Sequence, residues 1–465
     1  MFKKIITFIF ILLLSKITNA DNLETCTSNN STWELGDLSY QFSMKKNYKE
    51  ALNCAILGSE RNDPLSLSYM GYYYVWGLGV EKNIKESLKY LERAAELNDT
   101  WSQSELGFIY SNEPGFIDYS KAKYYLELAH DEGNIIATYN LGVLYENGYG
   151  VEQNLKKSFE LYKIANKAGY IAARNAISDF YQKGVVVNKD VNKAINLLTE
   201  TINDQNAIDF DISQAKSKLA YLYMNEDGFY NFKEAIKLYK DCAEQNNVIC
   251  IGNLAWHFMN GERVEKNINE GLKYYNRGIA LGDNYSRANL AWHYMKGEGV
   301  IQNFEKGISL LKTCADEKYN FCLTQLGGHY RDGNGVNRSD KKAVELFMIG
   351  ASQNDQRSIG ELAWHYQNGY GVEKNNKEAV RLFKLAGNVD DGYAYGQLGW
   401  HYENGKGIQR DLKLAYYYFT LGSNNGNEYS KDSLEKLLER NPNLNNIVDI
   451  KSIAQKLNHE LKKTD

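Results

Sequence analysis

One short pattern recurs along most of the chain and limits what it can fold into more than any other feature. Leu-Gly or Leu-Ala, with Tyr four positions after the Leu, occurs at Leu106-Gly107/Tyr110, Leu141-Gly142/Tyr145, Leu290-Ala291/Tyr294, Leu362-Ala363/Tyr366 and Leu398-Gly399/Tyr402. With the corresponding residues Leu35, Met70, Ile177, Leu219, Leu254 and Leu326, these anchors stand 35 or 36 residues apart, apart from one interval of 42 between Ile177 and Leu219. A fixed period of this size marks an array of one supersecondary unit, here eleven copies.

What each copy looks like follows from the residues between anchors. In eight copies Gly stands seven positions after the anchor, as in Gly77, Gly148, Gly297 and Gly369, and a second Gly or near variant follows two positions later. Glycine reaches the left-handed backbone in which a helix stops and turns. Thirteen positions after the anchor the same copies carry Asn83, Asn154, Asp190, Asn267, Asn303, Ser339, Asn375 or Asp411, residues that accept hydrogen bonds from the free amides of a helix's first turn. Beyond the cap, small residues such as Ser87 and Ala379 precede large apolar ones at helical spacing, Leu88 with Leu91 and Val380 with Phe383. Each copy therefore reads as helix, glycine turn and antiparallel helix. A lone hairpin cannot bury its stripe, so neighbours stack. The expected fold is all-α, a right-handed superhelical α-solenoid of about eleven 36-residue helix-turn-helix units over 34–424, with capping helices over 425–465. Copies 1, 3 and 6 lack the Gly-x-Gly turn, and copy 5 has about six extra residues between Thr201 and Asp211.

Composition agrees. Only 3 prolines interrupt helices, and 36 tyrosines supply bulky packing groups with a polar tip. A net charge of −4 gives no electrostatic case for nucleic acid or an anionic membrane as partner. The first twenty residues have Lys3 and Lys4, an apolar run from Ile5 to Leu14, and Thr18-Asn19-Ala20 before Asp21. This is the layout of a secretory signal peptide cleaved after Ala20, leaving an N-terminal segment over 21–33. The mature chain is then expected in an oxidising compartment with no membrane insertion.

The copies resemble the Sel1-like repeat family, relatives of the tetratricopeptide repeats, whose motif of Leu-Gly, Tyr, Gly-x-Gly-Val, Asn/Asp and Lys-Ala they meet one by one. Cys242 with Cys250, and Cys314 with Cys322, each join the end of a second helix to the start of the next first helix. Other copies hold small residues there, such as Ala94 with Ser102 and Gly350 with Ser358. Close backbone approach at that junction suits a disulfide, and Cys26 with Cys54 is the remaining pair. Free thiols are the alternative; zinc is disfavoured because no C-x2-C spacing or histidine cluster accompanies the pairs. The C-x7-C placement is similar to the secreted cysteine-rich branch typified by the Helicobacter cysteine-rich proteins.

Two features invite a catalytic reading. His257, His293, His329, His365 and His401 recur once per copy, but helices packed about 8–10 Å apart cannot converge such residues on one metal; a ring packed between repeats with one nitrogen hydrogen-bonded is expected. Ser-x-x-Lys occurs at Ser43, Ser213, Ser309, Ser339 and Ser433, without Ser-Asp-Asn or Lys-Thr-Gly. No enzyme activity, cofactor or metal is therefore expected.

Trp256, Trp292, Trp364 and Trp400 stand two positions after their anchors, with Gly328 interrupting the series, and Asn260, Lys296, Asn368 and Asn404 stand four residues further on. The resemblance to tetratricopeptide repeats implies that this position faces the concave groove. These eight residues are the candidate ligand-binding surface of an exported, non-catalytic protein-interaction scaffold, its partner an envelope or host protein. The expected location is a bacterial periplasm or cell exterior, or the endoplasmic reticulum lumen or extracellular space in a eukaryote. Two alternatives stand beside it: a cell-wall or β-lactam-directed hydrolase or penicillin-binding activity, implied by the cysteine-rich relatives, and carbohydrate binding by the tryptophans.

Overall fold

The computed structural model describes residues 26–387, 392–444, 449 and 453. The leader over 1–20 lies outside the described residues, as does the second closing helix expected over 448–462 apart from 449 and 453. Among the described residues there are 23 α-helices and no strand. They belong to two compact units that divide between Asn247 and Val248. Six helix hairpins, repeats 1 to 6, make the first unit. Repeats 7 to 11 and a closing helix, Glu428–Arg440, make the second.

Repeat 8 shows why the hairpin forms. Its first helix, Asn284–Lys296, opens on Asp283, whose side chain accepts from the Ser286 amide, and closes on Gly297 at φ 73°. The second, Phe304–Asp316, opens on Asn303, which accepts from the Lys306 amide. All eight cap residues named from sequence do the same at the head of a second helix, each such cap contributing about 1 kcal/mol. Where the second turn glycine is replaced, in repeats 5 and 7, Val186 and Arg263 still sit at φ 68° and 64°. The surrounding hairpin imposes the turn even on residues that resist it. The insertion in repeat 5 lengthens the following helix to Asp209–Asn225, 17 residues against the usual 13, and its connecting loop.

Within a hairpin the residue after the anchor meets the large residue of the second helix. A Cβ on Gly142, Gly327 or Gly399 would lie 2.7, 2.5 or 2.5 Å from ring atoms of Tyr162, Phe347 or Phe419. Glycine or alanine at this position is thus what allows the aromatic ring to be buried against the first-helix backbone. Consecutive hairpins within a unit then pack side by side, which buries both faces of each second helix's stripe.

The junction between repeats is as tight as the small residues imply. A Cβ on Gly350 would fall 2.2 Å from Ser358 Oγ. At the equivalent place Cys314 and Cys322 are bonded, their Cα atoms 5.9 Å apart, and Cys26 is bonded to Cys54 at 5.3 Å. Cys242 and Cys250 are disulfide-bonded as well.

Candidate functional site

On a first helix, the positions five and one before the anchor and two and six after it are spaced by four, three and four residues, so they form one stripe along one face. In repeat 8 the stripe is Tyr285, Asn289, Trp292 and Lys296; in repeat 9 it is Phe321, Gln325, Gly328 and Asp332. The four candidate tryptophans all lie on it, and all are partly exposed, Trp292 most clearly at 37%.

Each tryptophan is oriented by the histidine that follows it. The ring centroids of Trp256/His257, Trp292/His293, Trp364/His365 and Trp400/His401 are 5.0 Å apart, edge to face. Those histidines, and His329, place Nδ1 at 3.2, 2.8, 3.1, 2.8 and 2.6 Å from the carbonyl oxygens of Glu262, Glu298, Asn334, Tyr370 and Lys406, in chain order. A carbonyl only accepts, so Nδ1 carries the proton and the ring ties the helix end to its turn. Burial lowers the pKa of all five below the ordinary histidine value. The far side of the ring meets the preceding repeat: His293 on Tyr275, His365 on Phe347, His401 on Phe383. They pack between repeats, as expected.

The polar partners serve the helix more than the surface. Asn260, Asn368 and Asn404 each donate Nδ2 to the carbonyl of the tryptophan four residues earlier, at 2.8 Å. One of the two amide hydrogens of each is thus committed to its own helix, which leaves less for a ligand than the sequence suggested. Trp364 is further engaged: Arg331 lies 5.9 Å over its ring and also pairs with Glu361, and Tyr370 is 5.4 Å away.

The break in the tryptophan series is an opening. A Cβ on Gly328 would meet nothing within 4 Å, and beside it lies a cleft of about 510 Å³ lined by Trp292, Lys296, Phe304, Phe321, Gln325, His329 and Asn334, with Ala288, Met295 and Leu311 below. Trp292 and Lys296 form one wall and Phe321 and Gln325 the other, so stripe positions of adjacent repeats face a common space. Lys296 contributes to holding the pKa of His329 down, after burial, so the cleft presents one cation beside a neutral imidazole. Phe321, Gln325 and Phe304 were not singled out from sequence; reading the stripe back to the positions before each anchor finds the first two.

Two of the Ser-x-x-Lys serines are committed to structure. Ser339 caps Asp340–Ser352, and Ser213 accepts from Asn247 at 2.9 Å.

The Sel1 repeat profile matches eleven consecutive segments: 30–63, 64–99, 102–134, 135–170, 171–203, 213–247, 250–283, 285–318, 321–355, 358–391 and 392–427. Among solved structures, a protective antigen of uropathogenic Escherichia coli displaying an SLR fold is 23% identical, over 89% of this chain and 91% of its own, with a TM-score of 0.44. A Sel1 repeat protein from Oxalobacter formigenes is 25% identical over 53% and 99%, at 0.45. Yeast Tom70 is 13% identical over 88% and 96%, at 0.45. No curated protein matches the sequence.

Proposed function

We propose that this chain, which belongs to the Sel1 repeat family, is an exported, non-catalytic scaffold that seats a protein partner on the first-helix stripe of repeats 7 to 11. The Sel1 array is a framework suited to protein–protein interaction. The cleft between repeats 8 and 9 carries the finer reading: its volume of about 510 Å³ has room for a bulky side chain, and Trp292, Phe321, Lys296 and Gln325 line it. An aromatic pocket with a polar rim is the form that binding hot spots take.

Export is supported by the disulfide state of all six cysteines, which persists in oxidising compartments, and by the leader-like first twenty residues. Among the described residues no helix is long and apolar enough to cross a membrane. A bacterial periplasm or cell exterior fits these observations.

Gly328→Trp is the sharpest test, because it restores the tryptophan that neighbouring repeats carry, at a position where a Cβ meets nothing within 4 Å and whose neighbour His329 lines the cleft. Wild-type protein immobilised with its disulfides intact is expected to capture a partner from native envelope or host lysate, identified by mass spectrometry. Gly328→Trp and Trp292→Ala are each expected to lose it. Undiminished capture by both variants refutes the proposed surface, and nitrocefin turnover by the purified protein refutes the non-catalytic reading.

A further inference from the structure

The cleft between repeats 8 and 9 leaves two polar groups uncovered. The first is an imidazole. In repeats 8, 10 and 11 the recurring histidine lies against an aromatic ring of the preceding second helix, Tyr275, Phe347 or Phe383. At the same repeat position Leu311 stands before His329, and both line the cleft. The other four histidines are buried, whereas His329 is partly exposed. Its Nδ1 donates to the Asn334 carbonyl, so Nε2 of the neutral ring offers a lone pair. Among the described residues no group donates to it.

The second is the Lys296 ammonium. Lys296 is exposed at the end of Asn284–Lys296 and forms no ion pair among the described residues. Asp332, at the same stripe position of repeat 9, is taken by Arg331 at 2.8 Å. In repeats 7, 10 and 11 that position holds Asn260, Asn368 and Asn404, each bonded to its own helix. The one cation of this row therefore stands at the cleft.

An ammonium at the edge of an apolar space selects an anion, while the apolar walls supply most of the affinity. With Trp292, Phe304 and Phe321 as walls, a ring gains more than an aliphatic group of equal area. A phosphate would call for an arginine fork, and no arginine lines the cleft, so the anion is a carboxylate. A polypeptide supplies ring and carboxylate at the right spacing. Trp292 and Lys296 are four residues apart on one helix, about 6 Å along its axis. Side chains on one face of an extended chain are two residues apart, about 6.6 Å. A polypeptide also brings backbone N–H donors for His329 Nε2, which a free carboxylic acid does not.

We infer that the cleft takes an aromatic side chain of an extended polypeptide, with an Asp or Glu carboxylate two residues away on Lys296. This rests on the reading of the cleft as the partner's seat and specifies what the partner places there.

The experiment titrates the full, disulfide-intact chain with acetyl-Glu-Gly-Phe-Gly-Glu-amide, in which a carboxylate lies two residues from the ring whichever way the segment runs. Three counterparts replace both glutamates by glutamine, both by lysine, or the phenylalanine by alanine; 3-phenylpropionate is the free acid. The Trp292 indole N–H resonance reports place, and its titration gives affinity. The glutamate peptide is expected to bind saturably and shift that resonance. The glutamine peptide should bind about fivefold more weakly, as loss of an ion pair open to water implies, and the alanine peptide about tenfold or more. Lys296→Glu, checked for native circular dichroism, should reverse the order, so that the lysine peptide binds more tightly than the glutamate one. Equal affinity for the glutamate and glutamine peptides, or an order unchanged by Lys296→Glu, overturns the inference, while a shifted Trp292 resonance keeps the reading of the cleft. Equal affinity for the alanine peptide overturns the seating of a ring, and 3-phenylpropionate binding as tightly as the peptide overturns the assignment to a polypeptide. If no peptide shifts the resonance the inference falls, and lysate capture by Trp292→Ala decides the reading of the cleft separately.

Discussion

Glu105, on the first helix of repeat 3, Thr100–Asn112, is only 8% exposed, and Glu105→Gln tests that burial through stability, since it removes the ionisable group and keeps the shape. In the folded chain burial places the carboxyl at about 7, against 4.5 when exposed. A raised carboxyl contributes stability in full below 4.5, where both states are protonated, and loses it as pH climbs through 7, because the unfolded chain releases its proton first. That gap, at about 1.4 kcal/mol per pH unit, comes to about 3 kcal/mol by about pH 8. The substituted amide has no proton to lose, and being neutral it leaves a polar atom as unsatisfied as the neutral acid did. The two chains should therefore be close to equally stable at about pH 4, with the variant about 3 kcal/mol more stable at about pH 8. Asp211, raised by burial to about 6, titrates alike in both and cancels in the difference. Because repeat arrays open locally, the assay is hydrogen exchange of amides in Pro64–Trp76 and Thr100–Asn112, supported by thermal unfolding across the same pH range. A difference between the chains that does not change with pH would refute the claim that burial raises the Glu105 carboxyl.

The second unit should respond to pH in the opposite sense. Its five recurring histidines are held below their ordinary 6.5 by burial, so their contribution is present above 6.5 and lost as pH falls below it. Hydrogen exchange in repeats 7 to 11 should accelerate from about pH 7 to about pH 5 after correction for intrinsic rates, and His365→Asn together with His401→Asn should flatten that dependence. Replacing Cys314 with Ala and Cys322 with Ser, residues of the size other junctions use, should leave the fold intact but lower protection in repeats 8 and 9. The expected loss is about 2–3 kcal/mol, as removal of a short disulfide loop implies; unchanged protection would mean that stacking alone holds the junction.

Most of the fold was legible before any coordinates. Helix ends are set by local chemistry, and a cap such as Asn303 or a turn glycine such as Gly297 acts within three or four residues of itself, so position in the repeat was enough to place it. The disulfide at Cys314 and Cys322 was legible for a related reason: equivalent junctions with Gly350 and Ser358 advertise how close the backbones come. The tryptophan stripe was visible as a column of residues. That the amides of Asn260, Asn368 and Asn404 fold back onto their own helix was not, because an exposed asparagine has several partners in reach and only the side-chain rotamer selects one.

What the sequence alone determined, then, is the period, the hairpin and the identity of the residues that share a face. Which of those residues meet across repeats was decided by the tertiary structure. Trp292 and Phe321 line one cleft because helices one repeat apart are brought side by side, and Glu105 is left only 8% exposed by the packing around its helix. Burial and adjacency of this kind depend on how bulky side chains some thirty residues away pack together, and no local pattern of residues encodes the exclusion of solvent from a particular oxygen.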